Sequence, residues 1–141
     1  MCIRDRHAAA LAAARIDAAT LEELSGVLDE IEASDDFEDH SRLDHAFHMT
    51  ISEVAGNDAL TSLIDVLRSR SRAYRIPDAG DAAELKLHSD AGHRAILRGL
   101  AAADPVAASA AASAHVAQTE YWVRRYTETD IVAEGSAVEP D

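Results

Sequence analysis

The stretch from Asp39 to Asn57, DHSRLDHAFHMTISEVAGN, decides the fold. Leu43, Phe47, Ile51 and Val54 recur at helical spacing and form one apolar stripe over about Asp39 to Ala55. Gly56-Asn57 then reads as a stop and a restart: glycine suits the left-handed C-terminal position and asparagine caps the next helix. A helix turns about 100° per residue, so Asp44 and His48 project from one face, one turn apart. They flank the apolar stripe and would sit at its inner edge. Their side chains can therefore approach one ion together.

The rest of the chain repeats the helical pattern. Ala8 to Arg15 is a short run of strong helix formers. Thr20-Leu21-Glu22-Glu23 has the form of a capping box, with Thr20 as the cap, and Leu21, Leu24, Leu28 and Ile31 follow at helical spacing. A fourth helix carries Leu60, Leu63, Ile64 and Leu67 and fades into Ile76-Pro77-Asp78-Ala79-Gly80. The fifth spans roughly Asp81 to Ala103. Asp104-Pro105 opens the sixth, an N-cap followed by proline at the first helical position. No segment alternates with period two and the loops are short. The expected fold is all-α, an antiparallel bundle of about six helices.

Three spans are expected: a ragged or artefactual start at 1–7, a helical domain at 8–128, and a disordered tail at 129–141. Helix reasoning therefore starts at Ala8.

Composition narrows the function. The chain has 141 residues, 48% hydrophobic and only 4% aromatic, which suits one helical domain with an Ala- and Leu-rich core. Its net charge of -13 would be repelled by phosphates, so direct DNA or RNA binding is not expected. Cys2 is the single cysteine, which excludes an internal disulfide and makes the cytoplasm the default location. No apolar run is long enough for a membrane helix.

Two more histidines join Asp44 and His48 as candidate ligands. His93 shares a face with Ile96, Leu97 and Leu100; His115 shares one with Thr119, Trp122 and Tyr126. The histidines at positions 7, 40, 45 and 88 lack such placement. Metal sites in bundles are built from inward-facing side chains on neighbouring helices. The plainer alternative is that each histidine is a surface residue or a hydrogen-bonded core residue. Three imidazoles and one carboxylate suit a divalent ion, zinc first, with nickel, manganese and iron left open by ligand type. Open coordination positions would accept water or a carboxylate. Arg68 and Arg72, late in the fourth helix, are either donors to such an acid or solvated surface residues.

These elements together resemble a known family. Asp44-x-x-x-His48, then Ala55-Gly56-Asn57, then His93-Arg94-Ala95-Ile96, Asp104 with Ala108, and Ala114-His115 resemble the FCD domain. That is the C-terminal effector-binding domain of FadR-subfamily regulators in the GntR family of bacterial transcription factors. The resemblance covers about residues 8–128. It implies a bundle of six or seven helices that binds a divalent metal on Asp44, His48, His93 and His115 and, through it, a small organic acid. Gly92 departs from the pattern, which often has glutamate before the histidine; that residue is not a ligand, so the metal expectation stands. The family reads DNA with an N-terminal winged helix-turn-helix, which these residues lack. The expectation is a sensing domain, not an enzyme, acting as a homodimer. A metal-dependent enzyme and a structural dimerisation module without metal are the alternatives.

Overall fold

An aspartate or asparagine fixes the start of four of the helices. The computed structural model describes residues 2–71 and 79–135. Its elements are α1 (Cys2–Ala13), α2 (Ala18–Ala33), α3 (Phe37–Val54), α4 (Asp58–Ser71), α5 (Ala79–Ala101) and α6 (Pro105–Gly135). The bundle is all-helical, with no strand among the described residues. Asp17 and Asp36 cap α2 and α3, each accepting from the backbone N–H three residues on, at 2.8 and 2.9 Å. Asn57 does the same for α4 at 3.0 Å. Asp104 accepts from Val106 and Ala107, both at 3.0 Å, ahead of Pro105 in α6.

Three boundaries differ from the sequence reading. Thr20 is not the cap of α2, because Asp17 takes that role and Thr20 becomes the donor to it. An aspartate three residues upstream lets the helix begin most of a turn earlier. The segment before Ala8 is continuous with α1, since nothing from Cys2 onward breaks a helix. At the other end α6 runs on to Gly135, beyond the point where apolar periodicity stops. Residues 136–141 of the expected tail lie outside the described residues.

Core packing follows the predicted stripes. Leu24, Leu28 and Ile31 of α2 meet Leu43, Phe47 and Ile51 of α3 and Ile96 and Leu100 of α5. Helix α1 contributes Ala9, Ala12 and Ala13, and α6 contributes Ala108 and Ala112, all buried. Small side chains at these places let α1 and α6 lie close together, and α1 also touches α3, α4 and α5. Gly56 (φ 71°) turns the chain from α3 into α4. The Arg15 guanidinium donates to the Ala55 carbonyl beside it.

Polar ties hold α5 against α2. Lys86, the single lysine, donates to the carbonyls of Ile31 and Glu32 at 3.2 Å each, adding to the Ser34 N–H that already caps the end of α2. Two turns further along α5, Arg94 reaches Asp29 at 2.5 Å and Glu32 at 2.6 Å. These partners hold the guanidinium charge above its ordinary range, with Glu32 the larger cause and Asp29 the second. The clamp sits next to His93 in sequence and fixes the face that α5 turns inward.

Phe47 is fully buried and its ring lies 5.2 Å from the His48 ring and 5.0 Å from the His93 ring. Truncating it should cost stability and loosen both imidazoles. Phe47→Ala is expected to lower unfolding free energy by about 3–5 kcal/mol, measured by urea titration monitored by circular dichroism.

Candidate metal centre

Asp44 and His48 come from α3, His93 from α5 and His115 from α6. Each offers one donor atom, and the four atoms all lie within 4.8 Å of one another. The three histidines are 6%, 0% and 4% exposed in chain order, while the Asp44 side chain is 24% exposed. The ring centroids of His93 and His115 are 4.4 Å apart, and the His48 ring stacks on that of His115 at 5.1 Å. The helices thus bring together all four sequence-predicted ligands.

Hydrogen bonding within the cluster is incomplete. Oδ1 of Asp44 lies 2.9 Å from Nε2 of His93 and 3.8 Å from Nε2 of His48. Neither nitrogen has a hydrogen-bond partner in proper geometry, and Nδ1 of His93 also lacks one. Buried imidazole nitrogens left this way cost free energy, so they ask for an occupant. The donor nitrogens and the carboxylate oxygen converge to within 4.8 Å of one another. The residues fit a divalent cation with borderline-soft preferences.

Charge in the site is ordered from one side. Oδ2 of Asp44 accepts from Arg68 at 3.2 Å, and Nε of Arg68 faces Asp5 of α1 at 3.4 Å. Arg68 is thus a mostly buried bridge between two carboxylates and not a solvated surface residue. Arg72 lies outside the described residues. Burial would raise the Asp44 carboxyl, but the His93 contact and the charges of His48 and Arg68 outweigh it and hold the group well below the usual carboxylate range. His48 is pushed well below the ordinary imidazole value by burial first and by Arg68 second. His115 is lowered to about 3, again by burial and then by His93.

Sequence reasoning missed two polar neighbours. Asp5 lies in the segment set apart from the fold, although it falls on the same helical face as Ala8, Ala9 and Ala12. Spacing along α1 was the signal that could have found it. His40 was expected to lie clear of core-facing positions, yet its Nε2 is buried 3.8 Å from Asp90. His45 pairs instead with Asp65 at 3.1 Å. A small pocket with room for about one water lies beside His48, walled by Ala8, Ala9, Ile51 and Ile64, with Asp5 as its other polar residue.

Comparison with known proteins identifies the family. The family model described as the FCD domain matches residues 5–118. The chain therefore belongs to the FCD domain family. A solved GntR of Streptococcus agalactiae is similar, with a TM-score of 0.70 and 27% sequence identity. The match covers 82% of this chain and 52% of that one, so the chain spans about half the length of the solved relative. No curated protein matches. The family match and the similarity to that GntR agree with one another on the helical fold.

The depressed histidines make metal-free stability depend on pH. An unfolded chain takes up protons at His48 and His115 as pH falls below about 6.5, while the folded chain resists until far lower pH, near 3 for His115. Stability supplied by the neutral rings is thus full above the unfolded value and drains as pH falls through that window. Asp44 loses its own contribution only below 3.8, outside the range tested. Chelator-treated protein should melt lower at pH 5 than at pH 7, with a slope approaching about 1.4 kcal/mol per pH unit for each histidine. His115→Gln should flatten that slope.

Proposed function

We propose that this chain is the effector-sensing domain of a GntR/FadR-type transcriptional regulator, binding a divalent metal through Asp44, His48, His93 and His115. A small organic acid would occupy the metal's open positions. The observation that carries the reading is the convergence of three buried imidazoles and one carboxylate, with Nε2 of His48 and both nitrogens of His93 lacking a hydrogen-bond partner. Zinc is the first choice, with nickel, manganese and iron compatible with the same donors. A bound metal would supply a positive centre for the acid's carboxylate. Arg68, already beside Asp44, would donate to a second oxygen; Arg72 is a further candidate.

The acid would act by binding one helix arrangement better than another. In the full regulator, that bias would reach DNA through a winged-helix domain and a homodimer. The acidic charge of these residues agrees with leaving DNA contact to another part of the protein. No helix among the described residues is long and apolar enough to cross a membrane. Cytoplasmic work suits such a regulator.

Two measurements test the reading. Elemental analysis of purified protein should find close to one divalent metal per chain, and a chelator should lower the melting temperature. An organic-acid panel on metal-loaded protein should then raise it, by about 2.7 kcal/mol of stability at a hundredfold excess over Kd. Arg68→Ala should weaken the acid-dependent rise more than the metal-dependent one. Metal-free protein whose melting ignores both chelator and added Zn²⁺ would sink the proposal.

A further inference from the structure

The four candidate ligands and Arg68 occupy one level of the bundle, and pairs of residues that meet fix the direction in which each helix crosses it. Helices α3 and α5 run the same way, since Asp90 faces His40 and His93 faces Asp44. Helix α4 runs against α3, with Arg68 on Asp44 and Thr61 on Ser52. Helix α6 runs against α5, with His115 on His93 and Ala108 against Gly99. Helix α1 runs with α3: Asp5 lies at the level of Arg68, and Arg15 at that of Ala55.

One turn from that level, about 5.4 Å along the axis, each of these five helices presents an alkyl group. Ile51 follows His48 by three residues and Ile96 follows His93 by three; Ala112 precedes His115 by three. Ile64 precedes Arg68 by four, and Ala8 follows Asp5 by three. All five are buried, and together they wall the pocket beside His48. The level on the other side of the ligands carries His40, Asp90 and Thr119 instead. The ligands thus lie between hydrocarbon and polar side chains, and the pocket is on the hydrocarbon side. A water there would be poorly held. Besides His48, Asp5 is the one polar residue of the wall and it already faces Arg68, whereas a buried water makes about three hydrogen bonds. A methyl group needs none.

We propose that this pocket seats the hydrocarbon end of the effector, and that the acid recognised is a short unbranched monocarboxylate of about two or three carbons. The proposal rests on the metal and acid reading above and adds the class of acid. The carboxylate would lie at the ligand level with the metal and Arg68, and the remaining carbon or two would span the turn to the pocket. The space there is about that of one water, which a single methyl group fills. A second carboxylate would be buried against Asp5 and hydrocarbon, which is costly without a partner. A longer chain would overfill walls drawn from five packed helices. Ile64 is the wall residue best placed to test the depth. It belongs to a small apolar cluster with Ala8 and Ala55, apart from the main core, so shortening it widens the pocket and spares the rest.

The experiment loads the wild-type chain, Ile64→Val and Ile64→Ala with Zn²⁺ and titrates formate, acetate, propionate, butyrate, pentanoate, 3-hydroxypropionate and succinate. Acid affinity is read from the shift in melting temperature, and Zn²⁺ affinity separately by competition with a chelating dye. Acetate or propionate should bind best in the wild type, about fourfold tighter than formate for each carbon buried. Butyrate and pentanoate should fall away by about tenfold or more. Ile64→Ala should move the optimum to butyrate or pentanoate and leave Zn²⁺ affinity unchanged. Should Ile64→Ala fail to fold, Ile64→Val decides, by raising butyrate relative to acetate. A wild-type series flat in chain length, or an optimum that both folded variants leave in place, would overturn the proposal alone. Tightest binding by succinate, by 3-hydroxypropionate or by a larger acid of the broad panel would do the same. Zn²⁺-loaded protein that answers to no acid, or a chain that takes up no Zn²⁺, would overturn the sensing reading with it.

Discussion

A single carboxylate, Asp44, organises the interior of this bundle. Its two oxygens face different ways. Oδ1 turns toward the imidazoles of His48 and His93, and Oδ2 accepts from Arg68. A buried charge is costly unless it is paired and hydrogen-bonded, and here the pairing draws on α3, α4 and α5 at once. Because Arg68 also faces Asp5, the same charge system reaches α1. The apolar core brings these helices together, but the carboxylate demands that they meet in one register.

Around that charge the surrounding architecture is mostly small and apolar. Alanines on α1 and α6 let those two helices lie close together, and the packing of α6 on α5 places His115 within ring distance of His93. Phe47 fills the space behind both α3 and α5 imidazoles. The outer ties of Lys86 and Arg94 keep α5 from rotating against α2. Together they make the inward direction of His93 a property of the whole helix rather than of one rotamer.

Much of this was legible in the chain itself. Helical spacing of Leu43, Phe47 and Ile51 located α3 and the face on which Asp44 and His48 lie, because burial follows the 3.6-residue period. The Asp104-Pro105 and Gly56-Asn57 signals marked two junctions correctly, since local backbone chemistry alone fixes them. What escaped was set by contacts between distant segments. Asp5 matters only because α4 lies where Arg68 can reach it. Nε2 of His40 is buried only because α5 brings Asp90 opposite it. Gly92 is the sharpest case: in the sequence it is a departure from a pattern at a position that ligates nothing. Only the approach of α6 shows that the His115 ring lies close against this stretch of α5.

The continuity of α1 also affects where this domain can be cut. A boundary drawn at Ala8, where the alanine-rich run begins, would yield a tidy helical unit with its hydrophobic core whole. It would also discard Asp5 and leave Arg68 with one carboxylate where it now bridges two. The trimmed domain would keep its shape yet carry a different electrostatic balance at its centre. A fragment chosen by its packing alone would thus be a poor proxy for the affinity of the intact domain.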